Sequence, residues 1–299
     1  VGNDDLPLLG ETSTHLLAAG GKRLRPAFVL LVGKLFQAES KKVIPLAMAL
    51  ELIHMASLVH DDVVDAAMTR RGRLTVKANW GNRISIHTGD HLFAQSLILI
   101  AGINNPEISR VLAEVSIQMS MGEIQQISSA FNVNQNLRDY FYRIKRKTAM
   151  LISASCELSA IACGASRRQI WALGAYGHAL GMAFQIVDDI LDVTAKQSEL
   201  GKPIGGDLRQ GIITLPMLCA LRTAKEKERL KQLLATQRKS EAEVLEAIKI
   251  IVESPAIQAS FDIAERYKTK AKAHLAVLPN VPVKKALEQL ADFIVVRKF

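Results

Sequence analysis

Cysteine, aromatic residues and runs of one charge sign are all sparse in this sequence. Cys156, Cys163 and Cys219 are the three cysteines of the 299-residue chain. An odd number with no CxxC pair supports neither a disulfide framework nor a thiolate zinc site, and a reducing cytoplasm is the expected location. Aromatic residues make up 5%, too few for a platform on which single-stranded bases stack, and no block of five or more like charges offers a basic arm. The net charge of +9 still calls for an anionic partner. Nucleic acid is the weaker choice, which leaves a membrane surface or phosphorylated small molecules.

Strand signals are equally scarce: no convincing period-two alternation occurs, and no Asn-Gly or Asp-Gly pair separates two apolar runs. Hydrophobic residues reach 49% against 22% charged, enough for a large core. Apolar residues at three- and four-residue spacing predict helices over 26–36, 44–64, 91–103, 108–127, 137–163, 168–193, 215–234, 241–252, 257–275 and 283–296. Breakers at Gly20-Gly21, Gly72, Gly81-Asn82, Asn104 to Pro106, Gly164, 201–211 and 279–282 look like interhelix loops, so the expectation is one all-α domain over residues 1–299. The stretch Gln169 to Val187 has no formal charge over a length that could cross a bilayer. Its Gln169, His178 and Gln185 make a buried core helix the better reading, without a transmembrane span. Val1 to Gly10 lacks the charged-then-apolar order of a signal peptide.

Two acidic clusters interrupt this apolar background. Asp61, Asp62 and Asp65 close a long apolar helix, and at 100° per residue the i, i+4 pair Asp61/Asp65 lies within about 40° on one face. Phe184-Gln-Ile-Val-Asp188-Asp189-Ile-Leu-Asp192 repeats the pattern. Carboxylates at a helix C-terminus oppose the macrodipole, and close ionised pairs repel by up to ~4 kcal/mol at an effective dielectric near 20. A divalent cation would relieve both penalties. Mg²⁺ fits, because it takes oxygen ligands, retains water and bridges one or two carboxylates to phosphates.

Cations lie close by in sequence. Gly20-Gly21-Lys22-Arg23-Leu24-Arg25-Pro26 places three of them before a predicted helix, a setting that suits phosphate although the P-loop spacing is absent. Arg70-Arg71-Gly72 follows Asp65 by five residues, Lys147-Thr148 lies within a long helix, and Lys202 stands in a glycine-rich loop after Asp192. Each segment alone could be an ordinary solvated turn. His54 and His60 sit on the helix leading to the first cluster.

Taken in order, Gly20 to Pro26, Leu58-Val-His-Asp-Asp-Val-Val-Asp65, Arg70-Arg-Gly, Lys147-Thr, Phe184 to Asp192 and Gly201-Lys-Pro-Ile-Gly-Gly-Asp-Leu-Arg-Gln-Gly211 resemble the trans-isoprenyl diphosphate synthases. The resemblance implies antiparallel helices around a central cavity with the two aspartate motifs facing across its mouth. It implies three Mg²⁺ ions held by Asp61, Asp65 and Asp188, supported by Asp62, Asp189 and Asp192. Arg70, Lys147 and Lys202 would assist departure of the allylic diphosphate. Lys22, Arg25, His54 and Arg71, with Arg23 beside them, would hold isopentenyl diphosphate, while Thr148 and Gln185 would turn oxygens toward the allylic cation.

Within that family, aromatic residues four and five positions before Asp61 shorten the product. Ser57 and Ala56 are small, as is Ala49 deeper in the same helix, which favours a long chain. His54-Met-Ala-Ser-Leu-Val-His-Asp-Asp, Trp80-Gly-Asn-Arg and Gly122-Glu-Ile-Gln-Gln-Ile127 look like the catalytic component of bacterial hexaprenyl and heptaprenyl diphosphate synthases. Such enzymes extend farnesyl diphosphate for the menaquinone side chain, often as heterodimers with a small non-catalytic subunit; geranylgeranyl and octaprenyl synthases working as homodimers are the alternative. A terpene cyclase would not need the Gly20 to Pro26 loop or Arg71, and a non-catalytic subunit would not need six aspartates.

Overall fold

The computed structural model describes residues 6–195 and 204–296. Among them, the strand residues are Thr69–Arg70 and Arg73–Leu74, and helices dominate the remainder. The chain falls into two compact units, one formed by Val1–Val111 with Leu158–Ala165 and the other by Leu112–Glu157 with Ser166–Phe299.

The first unit contains α1 (Pro7–Ala18), α2 (Leu24–Leu35), α3 (Ser40–Val64) and α4 (Val76–Ala101). The apolar length of α3 drives its burial: Leu46, Ala49, Leu50 and Met55 have no exposed surface. Leu52, Met55, Ala56 and Val59 of α3 form one cluster with Leu16 of α1 and with Val76 and Leu92 of α4. Each fully buried Leu or Met contributes about 1.5–3 kcal/mol of transfer free energy. Buried Thr88 donates to the Thr12 hydroxyl at 3.0 Å, and Ser159 donates to the Val29 carbonyl at 2.7 Å. These bonds satisfy polar groups inside the core.

Three departures from the sequence expectation fall here. Helix α1 begins with Pro7 in its first turn and was not predicted. Helix α2 begins at Leu24, two residues before the expected start, so Arg25 lies in the helix rather than in the preceding loop. Gly81-Asn82 does not end a helix: α4 starts at Val76, and only Gly81 leaves helical dihedrals (φ 80°, ψ 171°) before the helix resumes. The polar residues Asn79, Asn82, Arg83 and His87 dilute the apolar period over that stretch. The Thr75 hydroxyl, accepting from the Ala78 N–H at 3.0 Å, is the N-cap that marks its start.

A short antiparallel hairpin, β1 (Thr69–Arg70) and β2 (Arg73–Leu74), also escaped prediction. Its turn residues Arg71 and Gly72 have φ of 52° and 74°, the pair of left-handed positions that a two-residue hairpin needs. Arg is not a usual turn residue, so the signal was hidden.

In the second unit α8 (Arg167–Thr194) is the central helix, opened by a capping box between Ser166 and Gln169. Around it run α6 (Leu137–Ile144), a π-helical turn (Lys145–Ala149) and the part of α7 (Met150–Ala162) up to Glu157, preceded by the part of α5 (Pro106–Ser128) from Leu112 onward. After it come α9 (Gly206–Gln210), α10 (Leu215–Thr223), α11 (Lys227–Ala235), α12 (Glu241–Val252), α13 (Ala256–His274) and α14 (Pro282–Val296). The expected single helices over 137–163 and 215–234 are thus divided, the second where Ala224 turns extended (φ −69°, ψ 145°).

Helices α3 and α8 are long and apolar enough to cross a membrane, but 56% and 67% of their most apolar windows are buried inside the protein. That is the behaviour of core helices. Gly181 lets α8 approach the π turn: a Cβ there would lie 2.6 Å from the Ala149 Cα. Gly181→Ala is therefore expected to destabilise the protein by about 1–3 kcal/mol, the cost of overpacking, measurable as a lower denaturant midpoint.

Candidate active site

Asp61 and Asp62 end α3, and Asp65 is its C-cap, with its N–H bonded to the Asp61 carbonyl at 2.8 Å. The helical offset expected for Asp61 and Asp65 is thereby kept. The three carboxylates are not equivalent. Asp62 is buried and accepts from Arg70 Nε at 2.7 Å, whereas Asp61 and Asp65 are half-buried. Burial raises the Asp62 pKa, with Arg70 working in the opposite direction. Without its Arg70 partner Asp62 would be an uncompensated buried charge.

The hairpin also directs Arg71. Its guanidinium donates to the Gly20 carbonyl and covers Gly21, where any Cβ would run into it. Gly21 has φ of 127°, and it is this backbone conformation that requires glycine, since the end of the Arg71 side chain could move aside. Arg23 is the left-handed N-cap of α2 and is already engaged, donating to Glu51 Oε1 at 2.5 Å and to the Leu17 carbonyl at 2.7 Å. The structure thus gives Arg23 a scaffolding contact that the sequence alone did not reveal. Lys22 is exposed.

Arg25 is held more deeply. Burial lowers its pKa to about 10, with Glu51 pulling it up and Arg71 pushing it down. Arg25 Nε and Glu51 Oε2 are both buried without a hydrogen-bond partner. His54 stands among these cations: burial first, then Arg25, Arg71, Arg70 and Arg23, drives its pKa well below the usual imidazole range. A neutral His54 offers one N–H donor, and the surrounding guanidiniums make the site a receptor for an anion with several oxygens. Glu51, which the sequence reading missed, is the acid that partly balances this cluster.

Upstream on α3, Ala56 is 2% exposed and belongs to the cluster of α1, α3 and α4 side chains. Half-buried Ser57 donates to the His54 carbonyl at 2.8 Å. Ala49 is fully buried.

In the second unit the middle aspartate again turns inward. Asp189 accepts from Tyr140 Oη at 2.7 Å and from Gln185 Nε2 at 2.8 Å. Gln185 Oε1 in turn accepts from the Thr148 hydroxyl at 2.6 Å. Burial moves the Asp189 pKa up to about 7 against the opposing pull of these donors. Asp192 is buried and accepts the N–H groups of Gly206 and Asp207 at 3.2 and 3.1 Å, which ties it to the start of α9. Asp188 is half-buried. Lys147 forms an ion pair with Glu123 at 2.6 Å. Lys202 lies outside the described residues. Tyr140 was missed, since it belongs to no repeated cluster or charge run, and Glu123 was read only as part of the Gly122 to Ile127 motif, without a role of its own.

No group of three or more His, Cys, Asp or Glu side chains poised for a metal is found among the described residues. In each unit taken by itself the half-buried carboxylates, Asp61 and Asp65 in the first and Asp188 in the second, have the oxygen chemistry that suits Mg²⁺, an ion that accepts one or two carboxylates and fills its remaining positions with water and phosphate oxygens.

Comparison with known proteins agrees with this chemistry. Heptaprenyl diphosphate synthase component 2 of Bacillus subtilis is 47% identical over 296 residues, covering 99% of this chain and 84% of that protein. A polyprenyl synthase of Caulobacter crescentus, solved with calcium and isoprenyl diphosphate, superposes with a TM-score of 0.95 at 37% identity, covering 100% of this chain and 92% of the other. Heptaprenyl diphosphate synthase of Staphylococcus aureus gives 0.94 at 36% identity, covering 100% and 94%. The family model described as polyprenyl synthetase matches residues 6–251, and with these relatives it establishes that the chain belongs to the polyprenyl synthetase family of prenyltransferases.

Proposed function

We propose that this enzyme adds isopentenyl diphosphate repeatedly to an allylic diphosphate, with farnesyl diphosphate as the primer, to make a hexaprenyl or heptaprenyl diphosphate for a menaquinone side chain. The observation that carries this reading is the set of four guanidiniums acting on a neutral, half-buried His54, two helical turns before Asp61. A diphosphate is the anion whose charge and oxygen count match that receptor.

Lys22, Arg25, His54 and Arg71 bind isopentenyl diphosphate and orient its double bond; Arg23 braces them through Glu51. Arg70, Lys147 and Lys202 neutralise the diphosphate that leaves the allylic carbon. Thr148 and Gln185 present oxygen dipoles to the resulting cation, and the released diphosphate takes the proton lost when the new carbon–carbon bond forms. Asp61, Asp65 and Asp188 hold Mg²⁺, three ions in all, with Asp62, Asp189 and Asp192 fixing their surroundings. When bound, the ions supply Lewis-acid stabilisation of the departing oxygens. Residues 1–299 act as one catalytic domain in the cytoplasm, a reading supported by a family model that crosses both compact units.

Product length follows from Ala56 and Ser57. Ala56→Phe is expected to shorten the chain by one or more isoprene units on reversed-phase chromatography, while melting shows whether the added ring is tolerated. An unchanged product would remove Ala56 from the wall along which the chain grows.

The relatives named component 2 support a second, small subunit. Exposed Ile117, Met121 and Ile124 make an i, i+4, i+7 apolar stripe on α5, the kind of face that a partner helix covers. Assaying the chain alone and with a candidate small subunit, then sizing the product, tests this. Full long-chain synthesis by the chain alone would favour a homodimer.

A further inference from the structure

We infer that Tyr140 is a positioning residue for chain elongation, setting through Asp189 and Gln185 the direction in which the Thr148 hydroxyl presents its lone pairs. The inference rests on the reading of Thr148 as a group that faces the allylic cation.

Each link in the connection has a direction. Tyr140 is fully buried, and its hydroxyl donates to Asp189 Oδ2. The Gln185 amide donates through its nitrogen to Asp189 Oδ1, which leaves its oxygen toward Thr148. Thr148 has a single proton and donates it to that oxygen. Its lone pairs are then the part of the hydroxyl that remains to face elsewhere. If the amide were reversed, Thr148 would accept and its proton would turn outward, the wrong polarity for a neighbouring cation.

The π-helical turn makes this geometry available. Tyr140 and Thr148 are eight residues apart, about 80° around an uninterrupted α-helix. A π turn winds more slowly, and its presence at Lys145–Ala149 reduces the separation to roughly 25°. The same extra residue carries Lys147 away from that face, toward Glu123. One local irregularity thus brings the tyrosine and the threonine to the same side, where Gln185 and Asp189 of α8 join them.

The test compares Tyr140→Phe, Thr148→Val and the double variant with the unaltered enzyme. Tyr140→Phe should lower kcat roughly tenfold, the scale of one buried hydrogen bond, while KM for both diphosphates stays within about twofold. The double variant should be no slower than Thr148→Val alone, because Tyr140 acts through Thr148. Unchanged kcat in Tyr140→Phe, or losses that multiply in the double variant, would overturn the inference. If Tyr140→Phe does not fold, Asp189→Leu supplies the second test by removing, at similar volume, the acceptor that holds the Gln185 amide nitrogen. It should lower kcat and leave the Mg²⁺ activation constant within about twofold, whereas a tenfold rise in that constant would make Asp189 a metal ligand and overturn the inference. Failure of the unaltered enzyme to incorporate isopentenyl diphosphate would count against the proposed function itself and is read separately.

Discussion

Asp188→Ala, or Asp61→Ala, is expected to reduce prenyl transfer on the order of 10³-fold or more, the scale of losing electrostatic stabilisation at a departing oxyanion. Both side chains are half-buried, so the substitutions should change folding stability by much less than the catalytic barrier. Asp62 and Asp189 supply the contrast. Each is buried in bonds to its own unit, so truncating either should lower the melting temperature as well as activity. A steady-state assay paired with thermal melting separates the two patterns. Unchanged incorporation in Asp61→Ala or Asp188→Ala would reject the metal assignment.

Glu51→Ala carries the next largest effect, this time on stability. Glu51 accepts from Arg23 at 2.5 Å and faces the buried Arg25. Removing one partner of a buried ion pair costs about 3–5 kcal/mol, because the other charge is left uncompensated. Arg23 is partly exposed, with 32% of its side chain accessible, which places the expectation at the lower end of that range. The sign of the ligand response is diagnostic. With Glu51 gone the cluster is more positive, so added inorganic pyrophosphate should raise the melting temperature of the variant more than that of the parent. A variant that melts like the parent, or responds less to pyrophosphate, would contradict the view that Glu51 balances an anion receptor.

The all-helical character and both aspartate motifs were legible in the sequence because they depend on local spacing: apolar residues at three- and four-residue intervals, and carboxylates at i, i+1, i+4. What the sequence hid arises from contacts between distant segments. Nothing in the helical pattern of 137–163 marks a π turn, against which Gly122 and Gly181 pack closely from distant parts of the sequence. A Cβ at Gly122 would lie 3.2 Å from the Lys147 nitrogen, and one at Gly181 would crowd Ala149. The hairpin holding Arg70 and Arg71 was hidden because Arg71 takes a left-handed conformation that arginine seldom adopts. The different duties of adjacent aspartates were equally invisible, since Asp61 and Asp62 differ only in which one meets Arg70 eight residues on. Lys202 was identified from its motif alone.

The most direct test is incorporation of labelled isopentenyl diphosphate onto farnesyl diphosphate, with and without Mg²⁺, and with a small second subunit supplied where the chain alone is inactive. Label should enter an extractable long-chain prenyl product when Mg²⁺ is present and should be lost when a chelator removes it. Incorporation that persists undiminished in the chelator, or none under any combination of metal and subunit, would contradict the assignment of this chain's aspartates and arginines to diphosphate chemistry.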